Sequence, residues 1–92
     1  ATRLAAINVA FHRSICEAAH NRYLAQSLDQ LRDALALLQG TTFSVKGRPV
    51  TADDEHRAIL KAIKERNPDE AEQAARVHIR NARSVRMQML PI

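Results

Sequence analysis

Residues 51–89, TADDEHRAILKAIKERNPDEAEQAARVHIRNARSVRMQM, decide the fold. Ala52, Ile59, Leu60 and Ile63 recur at helical spacing through the first part, and Ala71, Ala74, Ala75, Ala82, Val85 and Met89 do so through the second. Each set is the apolar stripe of a helix buried on one side. Between them Asn67 is a capping residue, Pro68 has the backbone angle of a first helical position, and Asp69 and Glu70 suit the positive end of a helix dipole. Thr51 and Asp54 stand in the T-x-x-D capping arrangement. The stretch therefore predicts one helix from Thr51 to about Arg66 and another from Pro68 to about Met89, with Pro91 as its stop.

Upstream, residues 40–50, GTTFSVKGRPV, hold both glycines and one proline without any period, and read as a long loop. Before it, Leu24, Leu28, Leu31, Leu35 and Leu38 step by 4, 3, 4 and 3, a bundle seam that ends ahead of Gly40 and is capped by Asn21. A first helix spans about Thr2 to Ala19, with Leu4, Phe11 and Ile15 along one side and Ile7 at its edge. Four helices in 92 residues, with 3% aromatics and abundant Ala, Leu, Arg and Glu, predict an all-α fold: an antiparallel helical bundle of about four helices. A chain of this length is one domain. It opens on Ala1 in a segment that is already periodic, so we expect further protein upstream.

A single cysteine, Cys16, cannot form an internal disulfide, and no run of 18 apolar residues offers a membrane span, so a cytoplasmic location is expected. Fourteen basic and ten acidic residues leave a net charge of +4. The arginines do not cluster apart from acids: Asp69, Glu70 and Glu72 precede Arg76, Arg80, Arg83 and Arg86, the order a helix dipole favours. Direct DNA contact by these residues is not expected. Phosphate loops and nucleophile elbows are absent from the sequence.

Rotating about 100° per residue around each helix turns three of the four histidines inward. His12 lies one turn after Asn8 at the edge of the first stripe, His56 lies between Ala52 and Ile59, and His78 is central to the last stripe. Three buried imidazoles on three helices need something to satisfy them. A divalent ion such as zinc or nickel does so, and Asn8 can add an amide oxygen. His20, at the far side of the first helix, and Cys16, on its flank, read as structural. Arg32 sits beside the leucine stripe, where it either reaches in to grip a carboxylate or packs its stem and leaves its charge in water.

INVAFHRSICEAAHNRYL, Ile7 to Leu24, and DDEHRAILKAIKERNPDEAEQAARVHI, Asp53 to Ile79, resemble in order and spacing the FCD domain. This is the effector-binding C-terminal domain of FadR-subfamily GntR transcription regulators. In metal-binding members a D-x-x-x-H pair, the histidine of an E-H-x-x-I stretch and that of an R-x-H-I stretch hold one divalent ion. The resemblance carries these roles to Asn8, His12, His56 and His78, with asparagine standing where the pattern has aspartate. It further implies zinc, nickel or manganese as the metal, a small carboxylate effector near Arg32, and a homodimer. DNA would be bound only through a winged helix-turn-helix domain outside residues 1–92.

Three functions follow as expectations: a ligand-sensing, dimerising module of a transcription regulator, a histidine-site metalloenzyme, and a structural helical adaptor. The second asks for a positioned acid or base. Rotation turns Glu17, Glu55, Glu65 and Glu72 sideways or outward, so no enzyme is expected.

Overall fold

The computed structural model describes residues 2–35 and 41–90. Leu38, Gly40 and Pro91, with the helix end and stop read from them, lie outside the described residues. All regular structure among the described residues is helical: α1 Thr2–Ala18, α2 Arg22–Leu35, α3 Arg48–Lys64 and α4 Pro68–Met89, with a 3₁₀ turn at Thr42–Ser44. The all-α expectation holds. The chain divides into two compact units between Thr41 and Thr42.

The first unit is the α1–α2 pair. Helix α1 closes where the Ala19 amide donates to the Ile15 carbonyl and His20 turns left-handed, at φ 55°. Asn21 then caps α2, its Oδ1 accepting from the Leu24 amide at 3.0 Å, as the sequence predicts. The half-buried positions of α1 are Ala5, Asn8, Val9, Phe11, His12, Ile15 and Cys16. Asn8 and His12 are thus on its inner side, while Leu4 and Ile7 are 45% and 55% exposed. On α2 Leu28 is half-buried and Leu24 and Leu31 are exposed. The leucine seam is wider than the strip it covers, because one helix packed on another covers only one row of side chains.

The second unit is the α3–α4 hairpin with the 3₁₀ turn. The T-x-x-D reading of Thr51 misplaces the start of α3 by three residues. Gly47, at φ 84°, is the N-cap, Pro49 lies in the first turn, and Thr51 is already helical. The Thr51 hydroxyl donates to the Arg48 carbonyl at 3.1 Å and cannot serve as a cap. Buried and half-buried residues of α3 fall at Arg48, Pro49, Ala52, Glu55, His56, Ile59 and Ala62, and those of α4 at Ala71, Ala74, Ala75, Val77, His78, Ala82, Val85, Arg86 and Met89. Ala52 is fully enclosed and Ala62 is buried, and these small side chains let the two helix axes approach. Leu60 and Ile63, assigned inward from periodicity, are exposed. The turn between the helices is a Schellman closure: the Asn67 amide reaches the Ala62 carbonyl and the Arg66 amide that of Ile63, with Arg66 left-handed at φ 54°. Asn67 Oδ1 then accepts from the Glu70 amide at 3.1 Å and starts α4 as expected.

Candidate functional site

Two of the inward histidines meet in the α3–α4 hairpin. His56 and His78 stand edge to face, with ring centroids 4.6 Å apart and planes at 69°. A ring nitrogen of one lies no more than 4.8 Å from a ring nitrogen of the other. His78 is only 5% exposed. They face each other because the tight turn at 65–67 makes the hairpin antiparallel, so residues equidistant from it pair across the interface.

The sequence turns Glu55 sideways or outward without giving it a role; it is half-buried, and three donors converge on its carboxylate. Oε1 accepts from His78 Nδ1 at 2.7 Å, while Oε2 accepts from Arg48 Nη1 at 2.9 Å and from Asn81 Nδ2 at 2.9 Å. Arg48, itself buried, also donates to Thr51 Oγ1 at 3.3 Å. A sequence signal existed: Arg48, Ala52 and Glu55 follow the 4–3 spacing of one stripe, which places cation and carboxylate two turns apart on the same face.

Burial opposes ionisation of Glu55. The hydrogen bonds from Arg48, His78 and Asn81, with the charge of Arg48, outweigh it and hold the carboxyl below its usual value. An ionised carboxylate only accepts, so the His78 Nδ1 must carry a proton, and the tautomer that remains when the ring is neutral has its lone pair on Nε2. For His56, burial holds the imidazole below its usual value, toward the neutral form that a metal requires.

The remaining predicted residues lie in the first unit. Asn8 and His12 are both half-buried on α1, with His12 edge-on to Phe11 at 5.3 Å. Asn8 Oδ1 is a buried oxygen with no hydrogen-bond donor among the described residues. Arg32 is half-buried on α2 and donates to Asp29 Oδ1 at 2.9 Å. It lines a small recess of about 60 Å³ with Cys16, Leu28 and others of that unit. His20 is exposed in the α1–α2 turn.

Within the hairpin, His56 and His78 are donors of the type a divalent ion takes, and His56 is held toward its neutral form. On α1, the buried Asn8 amide oxygen is a donor of a type such an ion also takes. The hairpin fits general-base chemistry poorly, since both oxygens of Glu55 are engaged.

A model of the FCD domain family matches residues 1–81. The chain is 27% identical over 77 residues to the uncharacterized HTH-type transcriptional regulator YdhC of Bacillus subtilis, a match covering 84% of this chain and 34% of that protein. It is 34% identical over 86 residues to the Glc operon transcriptional activator of Escherichia coli K12, covering 86% of this chain and 33% of the relative. The chain thus spans about a third of the length of these relatives. No solved structure matches it significantly. Among the described residues no helix is long and apolar enough to cross a membrane.

Proposed function

The chain belongs to the FCD domain family, and from that premise we propose that it is the effector-sensing, dimerising part of a GntR-type, FadR-subfamily transcription regulator. Its relatives are transcription regulators rather than enzymes, which supports a regulatory role. DNA is bound by a helix-turn-helix domain outside these residues, in the cytoplasm, and the effector alters how that domain is held.

The observation that carries this reading is the inward pair His56 and His78, with the Glu55 carboxylate on the Nδ1 of His78. With His12 and the Asn8 amide oxygen, they form the proposed ligand set for one divalent ion, zinc, nickel or manganese. A divalent ion held there would draw on the ring nitrogens of this pair as donors. Three neutral imidazoles and an amide leave the ion's charge uncancelled and coordination positions open. That combination attracts a small carboxylate, with Arg32 as a second cation for the same anion.

Elemental analysis of the chain loaded with each metal and then desalted tests the reading. About one ion per chain is expected, reduced by His56→Ala and by His12→Ala. A stoichiometry near zero with all three metals overturns it. Native mass spectrometry of the loaded chain identifies the acid, whose retention Arg32→Ala should weaken.

A further inference from the structure

We propose that Glu55 is a positioning residue that fixes the tautomer and the orientation of His78, with Arg48 and Asn81 clamping the carboxylate in place. The role as metal support rests on the function proposed above. The tautomer itself is a property of the metal-free chain.

Glu55 occupies one turn of α3 where three donors from both helices of the hairpin reach it: Arg48 at 2.9 Å, Asn81 at 2.9 Å and His78 Nδ1 at 2.7 Å. Arg48 and Asn81 share Oε2, which leaves Oε1 to His78 alone. A carboxylate bound in this way cannot swing toward a metal as a ligand without stranding the buried Arg48 guanidinium. It acts instead on the imidazole from behind. Accepting the Nδ1 proton keeps the lone pair on Nε2, and the charge of the carboxylate raises the donor strength of that nitrogen. Histidines that bind metals commonly have such a carboxylate on their other nitrogen. The buried Arg48 therefore links the start of α3, at the Gly47 turn, to the orientation of a ring on α4.

Glu55→Gln isolates the effect. The amide has the size of the carboxylate but only one acceptor oxygen. The buried charge of Arg48 and the Asn81 donor hold that oxygen, so the new NH₂ group faces His78. His78 Nδ1 must then accept, its proton moves to Nε2, and the metal-facing lone pair is lost. Nitrogen-15 NMR of the metal-free wild-type chain at pH 7.5 should show His78 protonated at Nδ1, and the variant should show it protonated at Nε2. Zinc affinity, read by competition with a chelator, should fall about 10–100-fold in the variant. Asn81→Ala should leave the tautomer and weaken zinc binding less. A wild-type His78 protonated at Nε2, or a folded Glu55→Gln chain with unchanged tautomer and affinity, overturns the proposal. If wild-type takes up no zinc while the tautomer switches as described, the metal reading fails and the positioning role of Glu55 stands.

Discussion

Asn8 sets the charge of the proposed site. Its amide offers a metal an oxygen but no negative charge, whereas the family pattern has an aspartate there. If its buried Oδ1 is in the ligand shell, Asn8→Asp should tighten zinc binding at least several-fold, because a carboxylate is a stronger donor for a dication than an amide. Unchanged or weaker affinity in a chelator competition would place Asn8 outside the shell. Glu55 and His56 set the acid limb of the metal-free chain. Glu55 is held below the ordinary carboxyl value of about 4.5 and His56 below the ordinary imidazole value of about 6.5, so in each case the unfolded chain binds more protons across the interval between the folded and unfolded values. Both contributions are complete above the unfolded value and are lost as pH falls through the folded one. Urea unfolding should show stability declining in two steps on acidification, the first beginning near 6.5 and the second near 4.5. His56→Gln should abolish the first step, and stability that rises on acidification would contradict the assignment. The inward histidines were legible in the sequence because a period of 3.6 fixes the face of a helix. Glu55 was not: a charged residue beside a stripe resembles a solvated one until its partners, Arg48 two turns back and Asn81 on another helix, are known.

The helical elements are specified mainly at their ends, and there two left-handed residues give opposite expectations. Gly47, the N-cap of α3, has φ 84° and nothing within 4 Å of an added Cβ. Gly47→Ala therefore meets backbone strain without a clash and should destabilise the chain by about 1 kcal/mol. Arg66 takes the same left-handed region, φ 54°, at the close of α3, where glycine is the usual occupant. Arg66→Gly should stabilise by up to about 1 kcal/mol. Urea midpoints at constant slope measure both, and equal signs for the two would refute this account of the turns. The α3–α4 turn was readable in sequence because Asn67, Pro68 and Asp69 each act locally on the start of α4. The start of α3 was not, since a glycine cap has no side-chain signature and Thr51 mimics a capping residue while bonding within the helix. Periodicity also over-assigned the core: Leu31, Leu60 and Ile63 lie at stripe edges, beyond the single row that one neighbouring helix covers.

At the scale of the whole chain, the fold consists of two small helical units. Among the described residues no large apolar side chain is completely enclosed, and the core of the second unit is built from Ala52, Ile59 and Ala62 around polar groups. A 92-residue chain with so little enclosed hydrocarbon gains proportionally much from any ligand that binds only its folded state. At a hundredfold excess over Kd that gain is about 2.7 kcal/mol, equivalent to about 10–20 °C in Tm for a domain of this size. Zinc added to the metal-free chain at pH 7.5 should raise the melting temperature by that amount, and a chelator should reverse it. Protons compete for the same nitrogens, so at pH 5.5, below the ordinary histidine value of about 6.5, most of the increase should vanish. Both His56→Ala and His78→Ala should abolish it at either pH. A chelator-insensitive melting point at pH 7.5 would mean that the inward histidines are core residues satisfied within the fold, and the anion would then have to be recognised by Arg32 and its neighbours without a metal.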